Sequence, residues 1–532
     1  MINSVQLKRN ILYTAIVVVV IITWSQLESI KNFANDKHPH PTLSIVFSQK
    51  EIDPPTWRIQ TLENEPVLKQ PSIFPATVFS KQNLRQYPPA TAIINRVDNS
   101  DDGILHAIEH LFKYPFIKEI LVYNQIKSKP LKAELLYPNK TLSTALNDRV
   151  HIQVIETDAS IHSMGKFTAC AVATYGKCYF QDDLWLNPYL DSLYTHSFRY
   201  PDHLIANTRP VNYVDYMRWR FTNRDMSLHT GYTDLRYGAF VSQQKVQKFL
   251  SQLSAQGLST SKLRRAELYF SIWLNQYPYL VSNPLLSSGR DGFRDIGSVN
   301  NRPLVEYYMY DAVSLLENTL ANSSWMEEQD DYFEKGELGP PVEERDVRSS
   351  CANDRCLFIT NIHSMPIPGT ENDIVFHSGS IANISQFESM YNQTHLGFKI
   401  PNKSNFAYRS YHKAVDQDTE TCWHTQRAPL AGDYFGLYMV GDIQAKRIIL
   451  YTPTKFDLPL DQVFQVTVQF VPFGSWEECD IQLTPLNQLD YRIGFDIACP
   501  RKGSFKSIRI IFKQDMQKAF ELCSFGLDNF VV

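Results

Sequence analysis

The stretch Lys177-Cys178-Tyr179-Phe180-Gln181-Asp182-Asp183-Leu184-Trp185 restricts the fold more than any other part of this chain. An apolar run that ends in two adjacent carboxylates, with Trp185 resuming the apolar pattern, fits a buried strand whose carboxyl end opens into a polar loop. Such an end can hold a divalent cation beside a diphosphate, because magnesium and manganese bind through one or two carboxylates plus substrate phosphates. An isolated Asp-Asp pair equally describes two solvated acids in a turn. Its surroundings have to decide.

Those surroundings alternate between strand and helix signals. Thr91 to Val97 reads as a buried strand, Asp98 to Gly103 as a turn with capping residues, Ile104 to Phe112 as a helix, and Ile117 to Asn124 as a second strand. Val150 to Glu156 is a third strand, and Gly165 to Ala173 a helix that carries Lys166. This order predicts the opening of a parallel α/β sheet, whose ligands bind beyond the carboxyl ends of the strands. Asn95, Arg96 and Asn124 are expected there, where a nucleotide would sit.

Further on come Met217-Arg218-Trp219-Arg220-Phe221, Leu228-His229-Thr230-Gly231-Tyr232-Thr233-Asp234-Leu235-Arg236-Tyr237-Gly238-Ala239-Phe240, and Arg265-Ala266-Glu267-Leu268-Tyr269. Over roughly Ala90 to Leu285 the chain resembles glycosyltransferase-A enzymes. It is most similar to the exostosin-type C-terminal transferase domain and to fungal relatives with a Gln-Asp-Asp-Asp-Trp stretch. The resemblance implies an α/β fold with a mixed sheet and a nucleotide-sugar site: Asp182 and Asp183 as the first acids of a metal-binding motif for manganese or magnesium, and Lys166 as a base contacting the nucleotide. It implies Glu267 with Asp183 at the transfer centre, and Gly238 with His229 towards the acceptor. One position departs from the pattern, since Leu184 stands where relatives carry a third acid. Asp183 then takes over, or metal binds weakly, or catalysis is lost.

The compartment is read from the first residues. Lys8 and Arg9 precede the uncharged run from Ile11 to Trp24, which residues up to Leu27 extend to a marginal bilayer span. Basic residues on the N-terminal flank favour an uncleaved signal-anchor over a signal peptide, with a cytoplasmic N-terminus. Sequons at Asn139, Asn322, Asn383, Asn392 and Asn402 agree with a luminal chain. A formal charge of -4 without a basic block gives no reason to expect nucleic acid as a partner. The expected organisation is a tail at 1–10, a membrane helix at 11–27, a proline-rich stem at 28–88, a transferase-like domain at 89–326, a linker at 327–348 and an all-β module at 349–532.

That last module is marked by alternating runs at Phe435 to Met439, Arg447 to Tyr451, Val463 to Phe470 and Ser507 to Phe512, which predict a β-sandwich. Lys413-Ala414-Val415-Asp416-Gln417-Asp418-Thr419-Glu420-Thr421-Cys422-Trp423 resembles a signature of discoidin or coagulation-factor C-type domains, with Gln417 in place of the usual Gly. This second resemblance, over about Asn383 to Val532, implies a jelly roll that binds glycans, lipids or protein through loops at one end, with a structural calcium near Asp416 and Asp418. Six of the eight cysteines lie in this third of the chain and suggest disulfides, with Cys170 and Cys178 reduced or paired within the core. Together these readings predict a Golgi or endoplasmic reticulum type II membrane glycosyltransferase, of hexosyl or N-acetylhexosaminyl type. It would move sugar from a nucleotide donor to a glycan or glycoprotein acceptor. The alternative is a catalytically inactive glycan-binding or scaffolding protein.

Overall fold

The computed structural model describes residues 68, 70–79, 87–97, 100–126, 128–137, 150–156, 163–287, 302–322, 346–368, 372–482, 492–528 and 530–531. The expected tail, membrane helix, most of the stem, residues 327–345 of the linker and Asn139 lie outside them. No helix among the described residues is long and apolar enough to cross a membrane.

The first half contains β1 (Ala90–Arg96), β2 (Ile117–Asn124), β3 (His151–Glu156), β4 (Lys177–Asp182), the short β5 (Trp185–Leu186) and β6 (Ile205–Thr208). It continues with the hairpin β7 (Arg220–Asn223) and β8 (Leu228–Gly231), then β9 (Ala239–Ser242), β10 (Tyr279–Ser282) and the short β11 (Leu286–Ser287). Its helices are α1 (Asp101–Leu111), α2 (Met164–Ala171), α3 (Leu190–Arg199), α4 (Pro210–Arg218), α5 (Gln243–Gln256), α6 (Ala266–Trp273) and α7 (Arg302–Ala321). Seven strands form one sheet in the order β10-β6-β9-β4-β1-β2-β3. Only β9 runs antiparallel to its neighbours, β4 and β6. Every residue of β1 and of β4 is buried, as expected for strands covered on both faces. The Cys170–Cys178 disulfide fastens the end of α2 to the start of β4, which resolves the two states the sequence left open.

Part of the expected stem packs on this half. Phe74 meets Tyr194 edge-on at 5.2 Å and Phe116 at 6.0 Å, while Ser72 Oγ and the Ile73 N–H donate to Asp191. Proline richness signals an extended path, but Phe74, Val78 and Phe79 carry enough apolar surface to dock that path.

The second half contains β12 (Val347–Ser350), β13 (Cys356–Thr360), β14 (Trp423–His424), β15 (Tyr434–Ile443), β16 (Arg447–Tyr451) and β17 (Phe464–Gln469). It closes with β18 (Glu477–Gln482), β19 (Arg492–Ala498), β20 (Phe505–Phe512), β21 (Glu521–Leu522), β22 (Ser524–Leu527) and β23 (Phe530–Val531). Ten strands run β12-β13-β15-β20-β17-β18-β19-β16-β22-β23, all antiparallel. The first half of β18 pairs with β17 and the second with β19, so this strand turns from one layer of the sandwich into the other. Phe435 on β15 meets Phe525 on β22 at 6.2 Å across the layers.

The two halves share their cores. On β13 and β15, Phe358, Phe435, Leu437 and Met439 face the sandwich interior. The alternate residues Leu357, Ile359, Tyr434, Tyr438 and Val440 pack in one cluster with Phe116, Leu193 and Tyr194 of the α/β half. The Cys351–Cys356 loop adds a polar lock, in which the Asp354 carboxylate accepts from the N–H groups of Asp191 and Ser192 at 2.8 and 2.9 Å and from Ser192 Oγ at 2.6 Å. A residue of the second half thereby caps the first turn of α3, satisfying donors that a helix start leaves open. Within the sequence that resembles a discoidin domain, two helices, α8 (Ile384–Thr394) and α9 (Lys403–Tyr408), also lie against the α/β half. Phe406 stacks on Tyr213 at 5.1 Å, Trp219 Nε1 donates to Glu388 at 2.7 Å, and Lys403 pairs with Asp215.

The Cys422–Cys523 disulfide closes a separation of 101 residues beside the β14–β21 pair, and Cys479–Cys499 ties β18 to the end of β19. A loop of about 100 residues loses the equivalent of about 4–5 kcal/mol of unfolded-state entropy when closed. Replacing Cys422 and Cys523 together by Ser is therefore expected to lower the urea midpoint by that equivalent. A midpoint unchanged from wild type would show that the bridge constrains nothing the fold does not already hold.

Candidate active site

The parallel pairing of β1 with β4 sets the site, because its register places Asn95 opposite Asp182. Asn95 Nδ2 donates to Asp182 Oδ1 at 3.0 Å, and Asn95 Oδ1 accepts from Gln125 Nε2 at 2.5 Å. Asp182 is 3% exposed. Burial pushes its pKa up to about 6, with Glu267 adding to the rise while Lys166, Arg236 and the Asn95 bond pull it down. A carboxylate that responds to two cations and a second acid stands at the centre of a charged group.

Aromatic packing brings that group together. Phe167 on α2, Phe249 on α5 and Phe270 on α6 lie within 4.8–5.1 Å of one another. Beside this contact Lys166, one residue before Phe167, forms an ion pair with Glu267, three residues before Phe270. The side chain of Lys166 is 2% exposed and that of Glu267 23%, so the acid is the solvent-facing member. Gly165 lets α2 approach β2, since a Cβ there would fall 2.0 Å from the Tyr123 ring. Arg236, the other cation acting on Asp182, is held by Asp234 through its backbone N–H at 3.0 Å and its Nε at 2.7 Å. Although burial pushes the Asp234 carboxyl upward, the Arg236 guanidinium holds it below the usual range.

Of the residues expected here, Asn95, Asp182, Lys166 and Glu267 come together. Asp183 does something else: its N–H donates to Asn95 O at 3.1 Å and its Oδ1 accepts from the Val97 N–H at 3.0 Å, stapling β4 to β1. Arg96 and Asn124 are turned to internal use. Arg96 pairs with Asp101 and donates to Lys129 O at 2.9 Å, while Asn124 Nδ2 donates to Glu156 at 2.9 and 3.0 Å. Buried strand-end polar groups satisfied this way fix the loops around the strand ends. Gly238 has φ +99, and a Cβ there would fall 2.5 Å from Asn187 Nδ2 and 2.6 Å from the Tyr179 hydroxyl, so it backs onto β4. His229 lies at the far end of α6 from Glu267, its N–H donating to Asn275 at 3.0 Å. Asn322, Asn383, Asn392 and Asn402 are exposed, and Asn383 and Asn402 cap α8 and α9 through Oδ1.

Arg236, Asp234 and Gln125 were not singled out from the sequence. The closely spaced Asp-Leu-Arg within the 232–240 stretch was the available signal for the first two.

The two expected metal positions hold few side-chain ligands. Asp182 and Asp183 each accept an N–H, and the third position, Leu184, packs with Trp185 and Tyr237. Among the described residues no three His, Cys, Asp or Glu side chains gather as a metal site. Two carboxylates that each accept one N–H, beside an apolar third position, would leave a manganese or magnesium ion dependent on substrate phosphates for the rest of its shell. At the expected calcium position Asp416 Oδ2 accepts from Lys413 Nζ at 3.0 Å and Thr421 Oγ1 at 2.7 Å, so an ammonium neutralises the carboxylate there. Calcium needs six to eight oxygens, and the residues of this loop do not fit it.

No protein-family model and no curated protein matches the chain. Among solved structures, it is similar to the mannosyltransferase PcManGT from Pyrobaculum calidifontis in complex with GDP-Man and Mn2+, at 14% identity over 49% of this chain and 80% of that one, with a TM-score of 0.27. It is similar to S. aureus TarS 1-349 in complex with UDP-GlcNAc at 13% identity over 43% and 66%, TM-score 0.26. The module CpGH89CBM32-5 from Clostridium perfringens, in complex with GalNAc-beta-1,3-galactose, matches at 8% identity over 22% and 81%, TM-score 0.17. Scores this low leave the fold to be read from the strand orders themselves.

The raised Asp182 carboxyl predicts a pH signature. Between its ordinary value of 3.8 and about 6 the folded state keeps a proton that the unfolded chain has released, so stability falls as pH rises through this window. Two units correspond to about 3 kcal/mol. Asp182→Asn is expected to raise stability by about 2 kcal/mol at pH 7 and to change it little at pH 4, as read by thermal unfolding against wild type at both values. A variant less stable than wild type at pH 7 would mean that the carboxylate is net stabilising where it stands.

Proposed function

We propose that the chain is a glycosyltransferase of the secretory pathway, anchored by 11–27 and moving a sugar from a nucleoside-diphosphate donor to a glycan or glycoprotein acceptor. The observation that carries this reading is the buried Asp182 carboxylate at the carboxyl end of β4, set among Lys166, Arg236 and Glu267. Four disulfides are the chemistry of an oxidising, extracytoplasmic compartment and support the localisation.

In this reaction an acceptor hydroxyl oxygen bonds to the anomeric carbon, the bond from that carbon to the phosphate oxygen breaks, and the diphosphate leaves with the electron pair. Developing negative charge on the diphosphate needs cations fixed in advance. Lys166 and Arg236 are those cations, held by Glu267 and Asp234. When Lys166 turns to the diphosphate, Glu267 is released from its ion pair and accepts the hydroxyl proton. It is the most exposed carboxylate of the group and the one an acceptor can reach. Asp182 and Asn95 orient the strand end between them, and no step passes through a metal ion.

The second reading, a non-catalytic glycan-binding or scaffolding protein, is favoured by one observation: Leu184 is apolar and Lys166 is already satisfied by Glu267. Calorimetry of the full chain with UDP and GDP, in EDTA and in manganese, separates the two. The expected result is binding of one nucleotide, changed less than twofold by EDTA and weakened at least tenfold by Lys166→Met. Binding that requires manganese would contradict the assignment of phosphate charge to Lys166 and Arg236. Folded protein that binds neither nucleotide would favour the scaffold.

A further inference from the structure

Phe473, in the 470–476 loop, has φ +52 and is 46% exposed. A bulky side chain seldom holds a left-handed backbone, and a half-exposed ring forgoes much of the gain of burial, so neither effect accounts for this residue. Strained residues of this kind cluster where ligands are held. Phe473 lines a pocket of about 230 Å³ on the outer face of the sandwich, where the loop and the end of α3 meet strands β12, β13, β15, β17 and β20. None of the lining residues belongs to the Asp182 group, and the pocket lies on a sheet face, away from the loops at the ends of the sandwich.

The loop is fixed in this shape. Gln469 Nε2 donates to Gly474 O at 2.7 Å, and the Gly474 N–H donates to Val471 O at 3.1 Å. Trp476 adds a second ring from the same loop, and Tyr434 and Tyr438 line the pocket from β15. The charged groups of the wall are already engaged. Arg509 stacks on Trp476 at 3.5 Å and on Tyr434 at 4.4 Å, Arg199 stacks on Tyr438 at 4.3 Å and on Phe473 at 4.4 Å, and Asp346 lies 3.5 Å from Arg348. All three have further partners within the protein. A charged ligand would therefore meet no uncommitted charge to offset its desolvation.

The Tyr434 hydroxyl differs from these groups. Its residue is 6% exposed, and the hydroxyl has no hydrogen-bond partner among the described residues. Ser507, also in the wall, is held only by a long bond of 3.4 Å to Gln469 Oε1. A wholly apolar ligand would leave the buried phenol hydroxyl unmatched, whereas a ligand oxygen would satisfy it.

We propose that this pocket binds one uncharged sugar ring. A pyranose offers C–H faces to aromatic rings and hydroxyls at its rim, which matches four aromatic side chains set around the Tyr434 hydroxyl and Ser507. The volume is below the roughly 300–1,000 Å³ of pockets for drug-sized ligands, which suits a single ring. Phe473 is then a wall whose backbone strain is offset when a sugar lies against it. The pocket holds a neutral unit of a glycan on the second half of the chain, independently of any chemistry at Asp182.

Ligand-observed saturation-transfer NMR on the full chain tests this, with methyl glucoside, methyl galactoside and N-acetylglucosamine as uncharged probes and glucuronic acid as the charged one. One or more of the uncharged sugars is expected to bind at least about fivefold more tightly than glucuronic acid. Tyr434→Phe is expected to weaken that binding at least about threefold by removing one hydrogen bond. Phe473→Gly removes the ring and relieves the left-handed backbone, so the chain is expected to fold and to bind at least about fivefold more weakly. Glu267→Gln is expected to leave the binding unchanged, which separates this pocket from the Asp182 group. The proposal is overturned if folded wild type binds none of the uncharged sugars or binds glucuronic acid as tightly. It is equally overturned if the folded Tyr434 and Phe473 variants bind undiminished, or if Glu267→Gln weakens the binding.

Discussion

The parallel pairing of β1 with β4 is the constraint on which the rest of this molecule depends. It buries β4 on both faces and along both edges, so the polar residues at its end arrive in an apolar surround. Asp182 must then hold its charge at a cost, and that cost is what makes it responsive to Lys166, Arg236 and Glu267. A solvated Asp at the same place would have an ordinary pKa and little to organise. The neighbouring Asp183 shows the contrast, since its carboxylate is consumed by the Val97 N–H and serves to close the strand end.

The second constraint is the sheet that belongs to both halves. Tyr434, Tyr438 and Val440 face the α/β half while Phe435, Leu437 and Met439 face the sandwich, so β15 is apolar throughout. Asp354 reinforces this by capping α3 from the other side of the boundary. Two modules that could have been joined by a tether are instead fused through a common core. Arg199 of the α/β half lies against Tyr438 and Phe473 of the second half.

Much of the α/β half was legible in the sequence because burial on both faces leaves a strong local signal. The strands expected at 91–97, 117–124 and 150–156 form within a residue or so of those bounds, and the helix bearing Lys166 forms at Met164–Ala171. The sandwich strands were legible for the same reason. The boundary between the modules was harder to read, because α8 and α9 follow a local helical pattern that says nothing about which half they cover. The docking of residues 71–79 was masked by proline content, which reports backbone stiffness and not what Phe74 touches.

Residue types and their order along the chain determined by themselves that a buried strand would end in Asp182, that Lys166 and Glu267 would each sit in the first turn of a helix, and that the last third would be antiparallel β-structure. Only the tertiary structure decided which polar groups meet. Lys166 and Glu267 are 101 residues apart and become partners through the packing of Phe167, Phe249 and Phe270, while Arg96 and Asn124, adjacent to the site in sequence logic, are drawn into a closed network with Asp101 and Glu156. The physical reason is that secondary structure follows from local periodicity, whereas the fate of a buried charge depends on the nearest compensating charge in space, which the local pattern does not encode.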